Sequence, residues 1–290
     1  MMGDMPSPPR SLRGPVAVAA LTLLLAWPAH AQMASHPGAQ TLDEAQHLFY
    51  SGRYESSAAI ALALHQADPS NLAAFELRTS ALHFQIKRAM GPLTDKDDRE
   101  KAFKACGTCP GLLKVFLDDT EAGRTAARAL VAKNEKDESA LFYLGKINLN
   151  YVWLQLGTLG KRTGWNEYWE ARKSLDAALK LNPQHARARL ARAWIDYIVD
   201  TKVKFGLKWI LGGGSKKEGL VTIRAMAMGE AKPYEKAEAQ FALWEIELRE
   251  KNVPAAVAAA KLVARDFPDN EELTRFLAAN QAVAEPPAKK

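Results

Sequence analysis

Cys106-Gly107-Thr108-Cys109-Pro110 is the motif whose residue types and spacing come nearest to a reactive site. A C-x-x-C pair at the start of a helix can hold a redox-active disulfide, because the helix dipole stabilises the first thiolate. The motif lacks the βαβ surroundings of a thioredoxin-like site, no His follows it for haem attachment, and the chain has only these two cysteines where a zinc site would need two further ligands. The reading placed first is a local structural disulfide that pins the loop ahead of a helix over 111–132. Redox chemistry, free thiols and metal binding stand as lesser alternatives.

A second candidate runs from Lys202 to Lys217, where Lys204, Lys208, Lys216 and Lys217 interleave with Phe205, Trp209 and Ile210 around three successive glycines at 212–214. Lysine heads beside an aromatic boundary suit a membrane surface or an anionic ligand, and the plainer alternative is a basic loop joining two helices. The order G-x-x-x-x-G-K-[ST] of a phosphate loop is absent, whereas Ser215 followed by Glu218 fits a capping box and marks a helix start. A third candidate is the aromatic group Trp165, Tyr168, Trp169, Trp194 and Tyr197, which supplies rigid anchors for a binding groove or, with its four-residue spacings, a core stripe. His36, His47, His65, His83 and His185 are scattered without H-E-x-x-H spacing, and there is no G-x-S-x-G elbow. No catalytic set, metal site or cofactor is expected.

The elements that must position these residues read as helices throughout. With 48% hydrophobic and 25% charged residues the chain has enough apolar surface to fold. Apolar residues follow helical spacing almost continuously to Leu277, and no run alternates in steps of two. Arg10 and Arg13, the apolar stretch from Val16 to Trp27 and Ala29-His30-Ala31 have the order of a cleavable export signal over 1–31. The mature chain is then expected to begin near Gln32, which is not a lipid-accepting cysteine, and to carry no transmembrane segment. A flexible lead-in over 32–40, a helical domain over 41–281 and a disordered tail over 282–290 complete the expected organisation. Losing Arg10, Arg13 and Asp4 makes the mature chain one unit less positive than the formal +6. A mildly basic exported protein points away from nucleic acid as a partner and toward the periplasm or the exterior.

Four segments repeat one pattern: small residues at helical spacing, then a polar or Pro-containing break. They are Ala58, Ala61 and Leu64 before Asp68-Pro69; Ala122, Ala126 and Ala129 before Asn134; Ala171, Leu175 and Ala178 before Asn182-Pro183; and Ala256, Ala260 and Val263 before Phe267-Pro268. Leu144-Gly145 adds a remnant of a first-helix pattern. On these residues the chain resembles the tetratricopeptide repeat family, and in Trp165 to Pro183, Trp194 to Val199 and Gly213 to Leu220 it resembles uncharacterised exported bacterial members of that family. The resemblance implies a right-handed α-solenoid of helical hairpins, irregular in the middle, that serves as a scaffold. The function expected is binding of a protein or peptide in the cell envelope, and the alternative is a periplasmic small-molecule binder accessory to a solute transporter.

Overall fold

A computed structural model describes residues 41–91, 98–203 and 208–281, which belong to a single compact unit. The expected signal at 1–31, lead-in at 32–40 and tail at 282–290 lie outside the described residues, as does Lys204. The fold is all-helical, and among the described residues no strand occurs. The helices are α1 (Leu42–Tyr50), α2 (Tyr54–Ala67), α3 (Leu72–Met90), α4 (Asp98–Ala105), α5 (Cys109–Lys133), α6 (Glu138–Val152), α7 (Trp165–Leu181), α8 (Ala186–Lys202), α9 (Lys216–Met228), α10 (Pro233–Arg249), α11 (Val253–Asp266) and α12 (Glu271–Ala279). A π-helical turn, Trp153–Thr158, extends α6, and a 3₁₀ turn, Lys208–Leu211, lies between α8 and α9.

Local chemistry sets the helix starts. Asn71 and Asp137 side chains accept from the amides of Ala74 (3.1 Å) and Ala140 (2.9 Å), and Ser215 accepts from Glu218 at 3.2 Å, as its capping pattern predicts. Each such cap satisfies an orphan amide and stabilises its helix by about 1 kcal/mol. Pro110, Pro233 and Pro254 occupy first-turn positions where no amide is needed.

Helices adjacent in the chain pack against one another, and the small residues mark where they meet. Ala171, Leu175 and Ala178 are fully buried on α7, as are Ala256, Ala260 and Val263 on α11. At Gly145 of α6 an added Cβ would lie 2.7 Å from Leu175 Cγ, so this glycine sets the approach of α6 to α7. The second repeat segment is out of register by one residue: Ala122 and Ala129 are exposed, and the buried stripe of α5 is Phe116, Thr120, Gly123 and Ala127. Three alanines at helical spacing fit either of two adjacent faces, and Phe116 decides the matter because it is the side chain with most area to bury.

The two ends of the described chain meet. Tyr50 at the end of α1 packs on Tyr234 and Phe241 of α10 and on Phe267 beyond α11, at ring-centroid distances of 6.1, 5.5 and 5.5 Å. Asn270, the N-cap of α12, donates its side-chain amide to the Tyr50 carbonyl at 2.8 Å. The helical series therefore does not finish as an open array.

Candidate functional site

Four helices, α3, α6, α8 and α10, turn polar and aromatic stripes toward one another. The stripes read Glu76, His83 and Lys87 on α3; Tyr143 and Lys146 on α6; Arg187 and Trp194 on α8; Tyr234, Glu238, Phe241 and Glu245 on α10. Each recurs at three-, four- or seven-residue steps, which keeps it on one helix face. Their best-ordered contact is a buried ion cluster. Arg187 bonds Glu76 at 2.9 Å and Glu238 at 2.6 Å, and Lys146 bonds Glu238 at 2.7 Å and stands 3.7 Å from Glu76. Two cations thus balance two carboxylates. Burial pushes the Glu238 carboxyl up, but Arg187 and Lys146 outweigh it and hold the group below the usual carboxylate range.

Toward the C-terminal ends of these helices the lining becomes aromatic. Lys87 lies over the Phe84 ring at 5.2 Å, Arg249 lies over Trp194 at 5.7 Å, and Trp244 meets Phe276 at 5.5 Å. His83 Nε2 shares a 2.8 Å hydrogen bond with Thr158 Oγ1, which the π-helical turn presents. Burial, reinforced by the charge of Lys87, lowers the His83 imidazole to about 3, so it is neutral at ordinary pH.

At the N-terminal ends an open, largely polar cleft of about 550 Å³ lies among the starts of α6, α8 and α10. One wall is Phe142, whose ring lies 4.4 Å from His185 and 5.1 Å from the Arg187 guanidinium. His185 Nδ1 accepts from the Ala188 amide at 3.3 Å, a cap that requires this nitrogen to be unprotonated. Burial, with Arg187 nearby, lowers the His185 pKa despite Glu138 and preserves that tautomer. Lys136 and Lys232 also line the cavity, and no ion pair engages either among the described residues. Of the carboxylates, Asp137 is spent capping α6 and Glu138 accepts from Asn182 at 2.8 Å, which leaves Glu235. The mouth thus holds two cations outside any ion pair among the described residues, Lys136 and Lys232, facing the carboxylates of Asp137, Glu138 and Glu235, and three helix N-termini add partial positive charge.

The residues singled out from the sequence do not share one groove. Tyr168 and Tyr197 are core residues, the core-stripe alternative of the two open to them and not the groove one: Tyr168 packs with Ala171, Leu175 and Ile195, and Tyr197 with Ile223 and Ile246. Burial satisfies both hydroxyls, Tyr168 donating to the Leu211 carbonyl at 2.8 Å and Tyr197 to Glu250 at 2.7 Å. Trp194 lies half-buried on the inner stripe of α8, while Trp165 and Trp169 are exposed on α7. The lysines beyond α8 do not make one free basic loop either. Lys208 is paired with Asp200 and Lys216 with Glu250, because the 208–216 segment folds back on these helix ends; Lys217 remains exposed. Cys106 and Cys109 are joined as a disulfide at the start of α5, with Cys109 fully buried against Phe116 and Leu154. Among the described residues no group of three or more His, Cys, Asp or Glu is arranged to hold a metal ion, and no helix is long and apolar enough to cross a membrane.

Sequence reasoning missed the ion cluster and the cavity. Each member is a charge set among buried apolar residues of its own helix, such as Glu76 beside Phe75 and Leu77, and that is the one signal available. Comparison with known proteins adds no name: no family model, no curated protein and no solved structure matches the chain.

Proposed function

We propose that the chain is an exported protein of tetratricopeptide-like helical hairpins that binds a small organic anion in the periplasm and acts by binding, not catalysis. The observation that carries this reading is the cavity at the starts of α6, α8 and α10. Its volume of about 550 Å³ falls in the range of small-molecule sites. Phe142, Tyr143 and the neutral His185 give it an apolar wall, while Lys136 and Lys232 supply uncommitted cations for a carboxylate or similar group. A peptide laid along an open concave face has less support, since the Glu76–Arg187–Glu238–Lys146 ion pairs tie α3, α6, α8 and α10 to one another and α1 meets α10.

The test is native mass spectrometry of protein purified gently from its own compartment, followed by thermal shift against mono- and dicarboxylates. A retained small molecule or a stabilising carboxylate is expected, and both are expected to vanish in Lys136→Glu/Lys232→Glu. Neither line changes the fold, because both lysines sit at the cavity rim. Absence of any adduct and of any thermal response in the wild type rules the reading out. An intact mass that begins before Gln32 removes the export part of it.

A further inference from the structure

Three tryptophans are exposed among the described residues: Trp165 and Trp169, one turn apart on α7, and Trp209, on the turn that Tyr168 and Arg172 of α7 hold. Trp209 is 75% exposed, Trp165 49%, Ile210 48% and Trp169 42%. They lie on different elements that are lashed together. Arg172, one turn beyond Trp169 on α7, donates to the carbonyls of Leu211 (3.2 Å), Gly212 (2.6 Å) and Gly213 (3.2 Å), and the Tyr168 hydroxyl adds its bond to Leu211. Lys208 is tied to Asp200 on the other side of the turn. Trp209 and Ile210 are thus held out at the tip of an anchored turn, where their exposure costs hydrophobic free energy that the fold does not recover.

The unpaired charges around this tip are mostly positive. Lys161 and Arg162 precede Trp165, Lys173 stands one turn after Trp169, and Lys202 ends α8 beside the turn; all four are exposed and none is in an ion pair. Most neighbouring carboxylates are engaged: Glu170 with Arg128 (2.7 Å), Asp200 with Lys208, Glu167 with Arg124 (3.2 Å), which Glu121 shares, and Asp176 with Arg192 (2.5 Å), which Asp196 shares; Glu218 is exposed without an ion pair among the described residues. The excess of unpaired cations favours an anionic occupant, and the exposed rings favour one that accepts indole at a polar boundary.

We propose that this face docks the protein on an anionic lipid bilayer, with Trp209 and Ile210 entering the headgroup layer and Lys161, Arg162, Lys173 and Lys202 facing the lipid phosphates. Tryptophan favours that interface because its ring is apolar and its N–H finds water or ester oxygens. The four apolar side chains expose roughly 500 Å², taking about 200–250 Å² for a whole aromatic side chain. That falls short of the ~800 Å² per partner of a stable protein interface but suffices for shallow insertion aided by charge. This surface is separate from the cavity, and its docking does not depend on what the cavity binds.

The test is flotation of the chain beginning at Gln32 with vesicles of phosphatidylcholine mixed with phosphatidylglycerol, against phosphatidylcholine alone. The protein is expected to float with the anionic vesicles, to be released by salt, and to stay behind with the neutral ones. Trp209→Ser/Ile210→Ser is expected to lower partitioning at least about tenfold, since each side chain contributes through its buried area. Lys161→Glu/Arg162→Glu is expected to lower it by a similar factor, each basic residue being worth about fivefold at such a surface. Both variants keep the wild-type melting temperature, because the altered side chains touch solvent. Equal flotation with both lipids, no flotation at all, or unchanged flotation of the variants overturns the proposal. So does capture of an acidic envelope protein through Trp209 by a chain that ignores lipid.

Discussion

Replacing Arg187 by Met keeps an unbranched apolar stem and deletes the charge that joins Glu76 to Glu238, two residues brought together from α3 and α10. In the wild type the two carboxylates face two cations; in the variant they share Lys146 alone. Breaking a buried pair leaves an uncompensated charge and costs about 3–5 kcal/mol. Against a typical total stability of about 5–15 kcal/mol the variant still folds at neutral pH. With a urea slope of about 3 kcal/mol/M, the midpoint falls by roughly 1–1.7 M. Urea unfolding followed by far-UV circular dichroism reads this directly. The pH dependence has a defined sign. Glu238 is held below its unfolded value in the native protein, so its contribution is present above about pH 4.5 and is lost as pH falls further. The variant lacks that contribution, and its stability curve converges on the wild-type curve in acid. Adding Glu238→Gln restores a one-to-one pairing of Glu76 with Lys146 and is expected to recover at least half of the loss. A cost below about 1 kcal/mol for Arg187→Met, or parallel pH curves, refutes the assignment of this cluster as a buried, mutually dependent unit.

Gly145→Ala places a methyl 2.7 Å from Leu175 Cγ and 3.2 Å from the Ala171 carbonyl, and thermal unfolding is expected to show a loss of about 1–3 kcal/mol despite alanine's better helix propensity. His83 is neutral when folded, down to about pH 3, but takes a proton near pH 6.5 when unfolded, so stability falls as pH drops below 6.5; between pH 7 and 5 this amounts to about 2 kcal/mol, and His83→Gln removes that share of the slope in urea titrations at the two pH values. Replacing Cys106 and Cys109 by Ser opens a loop of four residues and is expected to cost about 2 kcal/mol by loop entropy, measured as the shift of the urea midpoint against wild type under non-reducing conditions.

What the sequence determined by itself is what local chemistry dictates. Helical spacing of apolar residues, Asn71, Asp137 and Ser215 as caps, and Pro110, Pro233 and Pro254 in first turns are properties of a few neighbouring residues, and the all-helical fold follows from them. The small residues of α7 and α11 are likewise legible, because a helix can approach another closely only where side chains are short. The α5 stripe was not, since Ala122, Ala126 and Ala129 repeat as regularly as the buried Phe116, Thr120, Gly123 and Ala127, and only a partner helix distinguishes two adjacent faces. The aromatic residues divide for the same reason: Trp165 and Tyr168 are three apart on one helix, yet the first faces solvent and the second the core. The ion cluster is a purely tertiary product. Glu76, Lys146, Arg187 and Glu238 come from four helices, and nothing in the surroundings of any one of them names the other three. Their association follows from the packing of α3, α6, α8 and α10, which brings isolated charges into a space where each must find an opposite charge to offset its desolvation.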